Sequence, residues 1–148
     1  MHTISRWDNF FFEVADACRR MSKDPSTQCG AVIVRPNRTI AATGWNGFPR
    51  GVDDSPERYA DRPTKLLMTV HAEANAICST RESLEGYALY VLPLMPCSNC
   101  AALIIQSGIK RVCFKSPAAM PERWQESFSS TMKMFEEAGV ELFYVGAA

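Results

Sequence analysis

Along residues 6–21, Trp7, Phe10, Phe11, Val14, Cys18 and Met21 recur mostly at three- and four-residue intervals among charged positions, a period that predicts an amphipathic helix. Ser22-Lys23-Asp24-Pro25-Ser26 ends it, because proline cannot donate to the helical ladder and disfavours helical geometry in the residue before it. Residues 30–35 and 39–43 are apolar and β-branched around a Pro36-Asn37-Arg38 turn, so they predict an antiparallel hairpin. Residues 44–64 carry three glycines, three prolines and no sustained period, which predicts a long loop suited to act as a lid.

Beyond that loop the pattern alternates. A short helix is predicted over 72–79, a strand over 87–92, a helix over 98–107 closed by Gly108, and a strand over 110–114. A helix over 121–138, with Trp124, Phe128, Met132 and Phe135 on one stripe and Gly139 as its stop, precedes a last strand over 141–145. Strand–helix alternation implies right-handed crossovers and parallel strands, whereas the first hairpin is antiparallel. The expected fold is therefore α/β, a three-layer α/β/α sandwich around a mixed five-stranded sheet, formed as one domain over residues 1–148.

Size and charge narrow the function classes. A chain of 148 residues buries enough surface to fold without disulfides or a structural metal, so a metal here would serve chemistry. Sixteen Lys plus Arg balance sixteen Asp plus Glu, which disfavours a nucleic-acid partner while leaving room for a small phosphorylated ligand. The apolar stretches 87–95 and 101–105 fall short of the ~20 residues that a membrane span requires. Residues 1–20 contain Asp8, Glu13 and Asp16 and lack a leader pattern, so six cysteines are expected in a reducing cytoplasm.

Two segments carry candidate chemistry: His71-Ala72-Glu73 and Pro96-Cys97-Ser98-Asn99-Cys100. Cysteines three apart at a helix start can turn both sulfurs to one point, and two thiolates with one imidazole suit a zinc ion with its fourth position open. His71, Cys97 and Cys100 are the expected ligands of one zinc per chain, and Glu73 the base beside it. A zinc ion balanced by two thiolates acidifies water less than one held by three neutral histidines, so a positioned carboxylate is needed. Both segments open helices, whose positive ends favour thiolates and a forming oxyanion. By average residue usage a P-C-x-x-C run arises by chance in roughly one chain in a thousand of this size. Cys18, Cys29, Cys78 and Cys113 read as small core residues.

The H-x-E and P-C-x-x-C pair is the signature of zinc-dependent nucleobase deaminases, and the chain resembles that superfamily, most of all its deoxycytidylate (dCMP) deaminases. Residues 22–28 (SKDPSTQ), 44–51 (GWNGFPRG) and 105–109 (IQSGI) carry the likeness together with the two motifs. The resemblance implies a cytidine deaminase-like fold and hydrolytic deamination of a free cytosine deoxynucleotide, dCMP to dUMP plus ammonia. It implies that Glu73 moves a proton from the attacking water to N3 and then to the departing amine, with the Ala72 backbone and Asn46 orienting the substrate. Ser22, Lys23 and Arg50 are the implied phosphate contacts. Gly44, Trp45, Asn46 and Gly47 match the segment linked to a dCTP effector in hexameric members, with Trp45 where tyrosine is more common, and a homo-oligomer, hexamer or dimer, is implied.

Two further departures stand out. Residues 52–70 hold no Cys or His for a second zinc, and the approach to Pro96 through Leu92, Pro93, Leu94 and Met95 is one residue longer than in the shortest members, which would reshape the pocket wall. Rival readings are a tRNA adenosine deaminase, disfavoured by neutral charge and the absence of a basic extension after residue 145, a guanine deaminase relative, and an inactive zinc-binding regulatory protein. Glu73, and the lack of a fourth ligand nearby, argue against the last. Trp45, Phe48 and Trp124 are candidate interface aromatics.

Overall fold

A computed structural model describes residues 3–115 and 121–146; Met1, where the leader reading began, and Ala147 and Ala148, on which the end of the chain was read, lie outside them. The strands are β1 (Gly30–Val34), β2 (Ile40–Trp45), β3 (Ala88–Leu92), β4 (Arg111–Lys115) and β5 (Glu141–Val145). They form one mixed sheet in the order β2-β1-β3-β4-β5. β1 pairs antiparallel with both β2 and β3, while β3–β4 and β4–β5 are parallel.

Alternation along the strands builds two cores. Ala31, Ile33, Leu89, Val91, Val112 and Phe114 face one side of the sheet, where the helices α4 (Ala72–Cys78), α5 (Ser98–Gln106) and α6 (Gln125–Ala138) supply Ala76, Ile104 and Phe135. Val32, Val34, Tyr90, Leu92, Cys113 and Phe143 face the other, against Phe11, Phe12, Ala15 and Cys18 of α1 (Arg6–Arg19). A strand's period of two thus yields the three expected layers.

The faces of α1 and α6 differ from the predicted stripes. In α1, Asp8, Phe11, Phe12, Ala15 and Cys18 are buried, whereas Trp7, Phe10 and Met21 of the expected stripe are exposed. Asp8 can lie inside because the Tyr90 hydroxyl donates to it at 2.5 Å and Arg111 approaches at 3.5 Å. In α6 the buried positions are Phe128, Thr131 and Phe135, with Met132 outside.

The expected lid is also more ordered than its composition suggested. Residues 56–60 form α2 (Pro56–Ala60), and α3 (Arg62–Met68) follows at once. Pro56 and Pro63 sit in the first turns, where a missing N–H costs nothing, and the Ser55 hydroxyl accepts from the Arg58 N–H. Phe48 stacks on buried Tyr59 with ring centroids 4.4 Å apart, fastening the 46–51 turn to α2. Among the described residues, no helix is long and apolar enough to cross a membrane.

Candidate metal centre and substrate cleft

His71 and Cys97 are the N-cap residues of α4 and α5, and neither spends its side chain on a capping hydrogen bond. Both side chains are therefore free to turn to a common point. Cys100, one turn into α5, is buried beside them. His71 Nδ1 lies 3.4 Å from Cys97 Sγ and 3.4 Å from Cys100 Sγ. Tetrahedral zinc with ordinary Zn–S and Zn–N bond lengths would place such nitrogen and sulfur atoms about 3.5 Å apart, so this donor set fits one shared ion. Among the described residues, these three are the sole group of His, Cys, Asp or Glu donors with that proximity.

The electrostatics suit the same use. Hydrogen bonding from Cys100, then from His71, outweighs burial and brings the Cys97 thiol down to about 4, while its bond to Cys97, burial and nearby Glu73 push Cys100 up. A bound cation would take both sulfurs as thiolates. The bond to Cys97 raises the His71 imidazole. Glu73, in the first turn of α4, is only 5% exposed, and burial raises its carboxyl above the usual range despite opposing help from its own backbone N–H and from His71. A buried carboxyl beside the metal donors is placed to carry protons for a reaction at that point.

Sequence reasoning did not find the braces behind the ligands. The Thr131 hydroxyl donates to the Pro96 carbonyl at 3.0 Å, and Ser127 Oγ accepts from the Ser98 N–H at 2.9 Å, so α6 fixes both sides of Cys97. A threonine three residues after Phe128 and four before Phe135, on the same helical face, was the available signal. On the other side, Asn75 Nδ2 donates to the Trp45 carbonyl at 2.7 Å, and Gly47 and Val70 exchange backbone bonds of 3.1 and 2.8 Å just before His71. A Cβ on Gly44 would sit 2.5 Å from the Ala72 carbonyl oxygen, so that glycine permits β2 to touch α4.

His71, Cys97 and Glu73 open onto one cleft. Cys29, Asn46, Leu94, Met95, Trp124 and Phe128 line it. Asn46 is buried and uses its amide internally: Oδ1 accepts from the Cys29 N–H at 2.8 Å and Nδ2 donates to the Thr27 carbonyl at 2.9 Å. Ser22 is buried too, its hydroxyl donating to the Asn46 carbonyl at 2.8 Å. Ala72 is fully buried at the start of α4. Lys23 pairs with Asp54 at 2.8 Å, and neither Lys23 nor Arg50 is among the residues lining the cleft. The cations that do line it are Arg62, Lys65 and Arg123, and Lys65 is buried in an ion pair with Asp24 at 3.1 Å.

Of the other cysteines, Cys18 and Cys113 are core residues as expected, and Cys29 is half-buried in the cleft wall with burial pushing its thiol up to about 12. Cys78 departs from the core reading, being exposed, because the helix turns it away from the face on which Ala72 and Ala76 pack. Of the three candidate interface aromatics, Trp45 is exposed, while Phe48 and Trp124 are half-buried against Tyr59 and Phe128.

Comparison with known proteins agrees with this centre. The chain is 45% identical over 143 residues to an Aliivibrio fischeri protein named "Uncharacterized deaminase in luxG 3'region", covering 96% of this chain and 95% of that one. It is 38% identical over 142 residues to the human deoxycytidylate deaminase, covering 90% and 76%. The crystal structure of a dCMP deaminase from the cyanophage S-TIM5, in complex with dCMP and dUMP, superposes with a TM-score of 0.72 at 24% identity, covering 97% of this chain and all of that one, and so shares the fold. Residues 5–116 match the family model described as the cytidine and deoxycytidylate deaminase zinc-binding region. With that match spanning both motifs and the ligand cluster they form, the chain belongs to the cytidine and deoxycytidylate deaminase family.

Proposed function

We propose that this protein hydrolytically deaminates a free cytosine deoxynucleotide, converting dCMP and water to dUMP and ammonia. The observation that carries the reading is a buried Glu73 beside the His71, Cys97 and Cys100 donors, with Glu73, His71 and Cys97 lining one cleft. Relatives named deoxycytidylate deaminase at 36–39% identity support the choice of substrate.

His71, Cys97 and Cys100 would hold zinc, which supplies a Lewis acid that lowers the pKa of water at its open position. Glu73 then does the proton work. It accepts one proton from the water as the oxygen attacks C4 and delivers it to N3, then takes the remaining proton from the C4 hydroxyl and gives it to the exocyclic nitrogen as the C4–N bond breaks, so a carbonyl replaces the amine and ammonia leaves. The apolar wall of Leu94, Met95, Trp124 and Phe128 excludes water around the ring, and the extended approach to Pro96 supplies two of those residues. Asn46 also lines the cleft and holds the residue 27–29 backbone in place, and the Ala72 backbone at the start of α4 would help orient the base.

The same reading includes a homo-oligomer, hexamer or dimer, in the cytoplasm. Exposed apolar side chains on α3, where Leu67 is 87% exposed, support the assembly. It also includes a dCTP effector acting through Gly44, Trp45, Asn46 and Gly47, since Gly44 and Trp45 abut α4 and Gly47 exchanges backbone bonds with Val70 just before His71. The test is ammonia release from dCMP, 5-methyl-dCMP, dCTP, deoxycytidine and guanine, each with and without added dCTP, alongside light scattering. Turnover of dCMP that Glu73→Ala abolishes while zinc is retained is the expected result. A fully active Glu73→Ala, or wild type inert toward every cytosine nucleotide, would overturn the assignment.

A further inference from the structure

We propose that Arg62 of α3 and Arg123 of the 3₁₀ turn Glu122–Trp124 grip the 5′-phosphate of the substrate at the rim of the cleft. The assignment rests on the reading that the cleft takes a cytosine nucleotide, and it gives the phosphate to residues other than Lys23 and Arg50.

The charges of the cleft are unevenly committed. Its lining contains two carboxylates, Asp24 and Glu73, and three fixed cations, Arg62, Lys65 and Arg123. Asp24 and Lys65 cancel each other in a buried pair, and Glu73 is buried beside His71 at the start of α4 and pairs with neither arginine. What remains is two guanidinium groups. Both arginines are exposed, and among the described residues neither forms a hydrogen bond or an ion pair with a carboxylate. The Arg123 guanidinium instead stacks over the Trp124 ring, 5.8 Å from its centroid, which leaves its N–H edge available. Trp124 is itself part of the cleft wall.

Chemistry orients the ligand. The reacting ring must reach the buried Glu73 carboxyl, so the other end of a nucleotide lies toward the exposed arginines. A phosphate dianion is matched by planar guanidinium forks, which bind its oxygens in pairs of parallel hydrogen bonds. Although the chain has no net charge, the two unpaired guanidinium groups give this cleft accessible positive charge among the described residues.

The test compares Arg62→Gln, Arg123→Gln and the double variant with wild type, using ammonia release from dCMP and from deoxycytidine. Calorimetric binding of dUMP and of deoxyuridine runs alongside, with zinc content and thermal melting as checks on folding. Each single change should lower the kcat/KM ratio of dCMP over deoxycytidine about tenfold, mostly through KM, and the double change by more. Arg62→Lys should recover only part of the ratio. A loss equal for dCMP and deoxycytidine, or no loss for dCMP, would overturn the proposal. Wild type inert toward all cytosine compounds would refute the deaminase reading instead. The binding arm would still decide the arginines: a preference for dUMP over deoxyuridine removed in the double variant supports them, and its absence or persistence sinks them.

Discussion

Replacing Lys65 with methionine removes one member of a buried ion pair and leaves the other in place. The two side chains are 9% and 7% exposed, and the ammonium lies 3.1 Å from Asp24 Oδ1. Breaking such a pair from one side typically costs about 3–5 kcal/mol, because an uncompensated charge stays buried. Asp24 retains the Ser26 and Thr27 N–H donors at 2.8 and 3.1 Å, which argues for the lower end, about 3 kcal/mol. For a chain of this size that corresponds to a fall in Tm of roughly 6–12 °C, measured by calorimetry or circular dichroism. Burial pushes the Asp24 carboxyl up, yet the two N–H donors and Lys65 outweigh it and hold it below its ordinary value. The stability from its charged form is therefore complete above the unfolded value near 3.8 and is lost as pH falls through the lower folded value. The Tm gap between wild type and Lys65→Met should be full from about pH 5 to 8 and close in stronger acid. The double variant Asp24→Asn/Lys65→Met should regain part of the loss. A Lys65→Met protein melting within about 2 °C of wild type at neutral pH, well under the range expected from the scaling above, would refute the reasoning.

Other changes probe the metal centre and its supports. Cys97→Ser and His71→Ala should each purify with little zinc by plasma mass spectrometry where wild type holds one ion per chain, and a chelator should abolish wild-type turnover in a way that added zinc reverses. Glu73→Gln should keep its zinc while kcat falls by about 10²–10⁴, the usual worth of a positioned proton carrier. Gly44→Ala forces a methyl group to 2.5 Å from the Ala72 carbonyl oxygen and 2.6 Å from the Ala76 nitrogen; both are backbone atoms, so α4 must move. It should melt lower by an amount equivalent to at least ~1–3 kcal/mol and lose activity with it. Thr131→Val keeps the volume but strips the Pro96 carbonyl of its buried donor, so a loss of about 1–3 kcal/mol in urea unfolding is expected, together with weaker zinc retention.

The layers and the metal ligands were legible in the chain because both depend on local period. Apolar strand runs and helical periods predicted the layers, and the three-residue step from Cys97 to Cys100 brought two sulfurs to one side of a helix start, whereas the structure shows Ala31 and Ile33 in one core and Val32 and Val34 in the other. Local period also explains the misreadings. Pro56 and Pro63 look alike as loop punctuation and as first-turn helix residues, and only the packing of Tyr59 beneath Phe48 separates the two. Three consecutive phenylalanines in α1 permit more than one buried face, and a partner for Asp8 lying 82 residues away in Tyr90 selects among them.

What the sequence by itself determined, then, was the chemistry: the donor set, the acid beside it and the sheet that carries them. Tertiary structure decided which charges are free to act. Lys23, Lys65, Arg62 and Arg123 are equivalent as letters, but Asp54 lies 2.8 Å from the first and Asp24 3.1 Å from the second. Only the last two reach the cleft without a carboxylate partner among the described residues. The physical reason is that an ionic group's availability depends on its distance to the opposite charge, and chain folding sets that distance across 31 and 41 residues of sequence, beyond the reach of any local pattern.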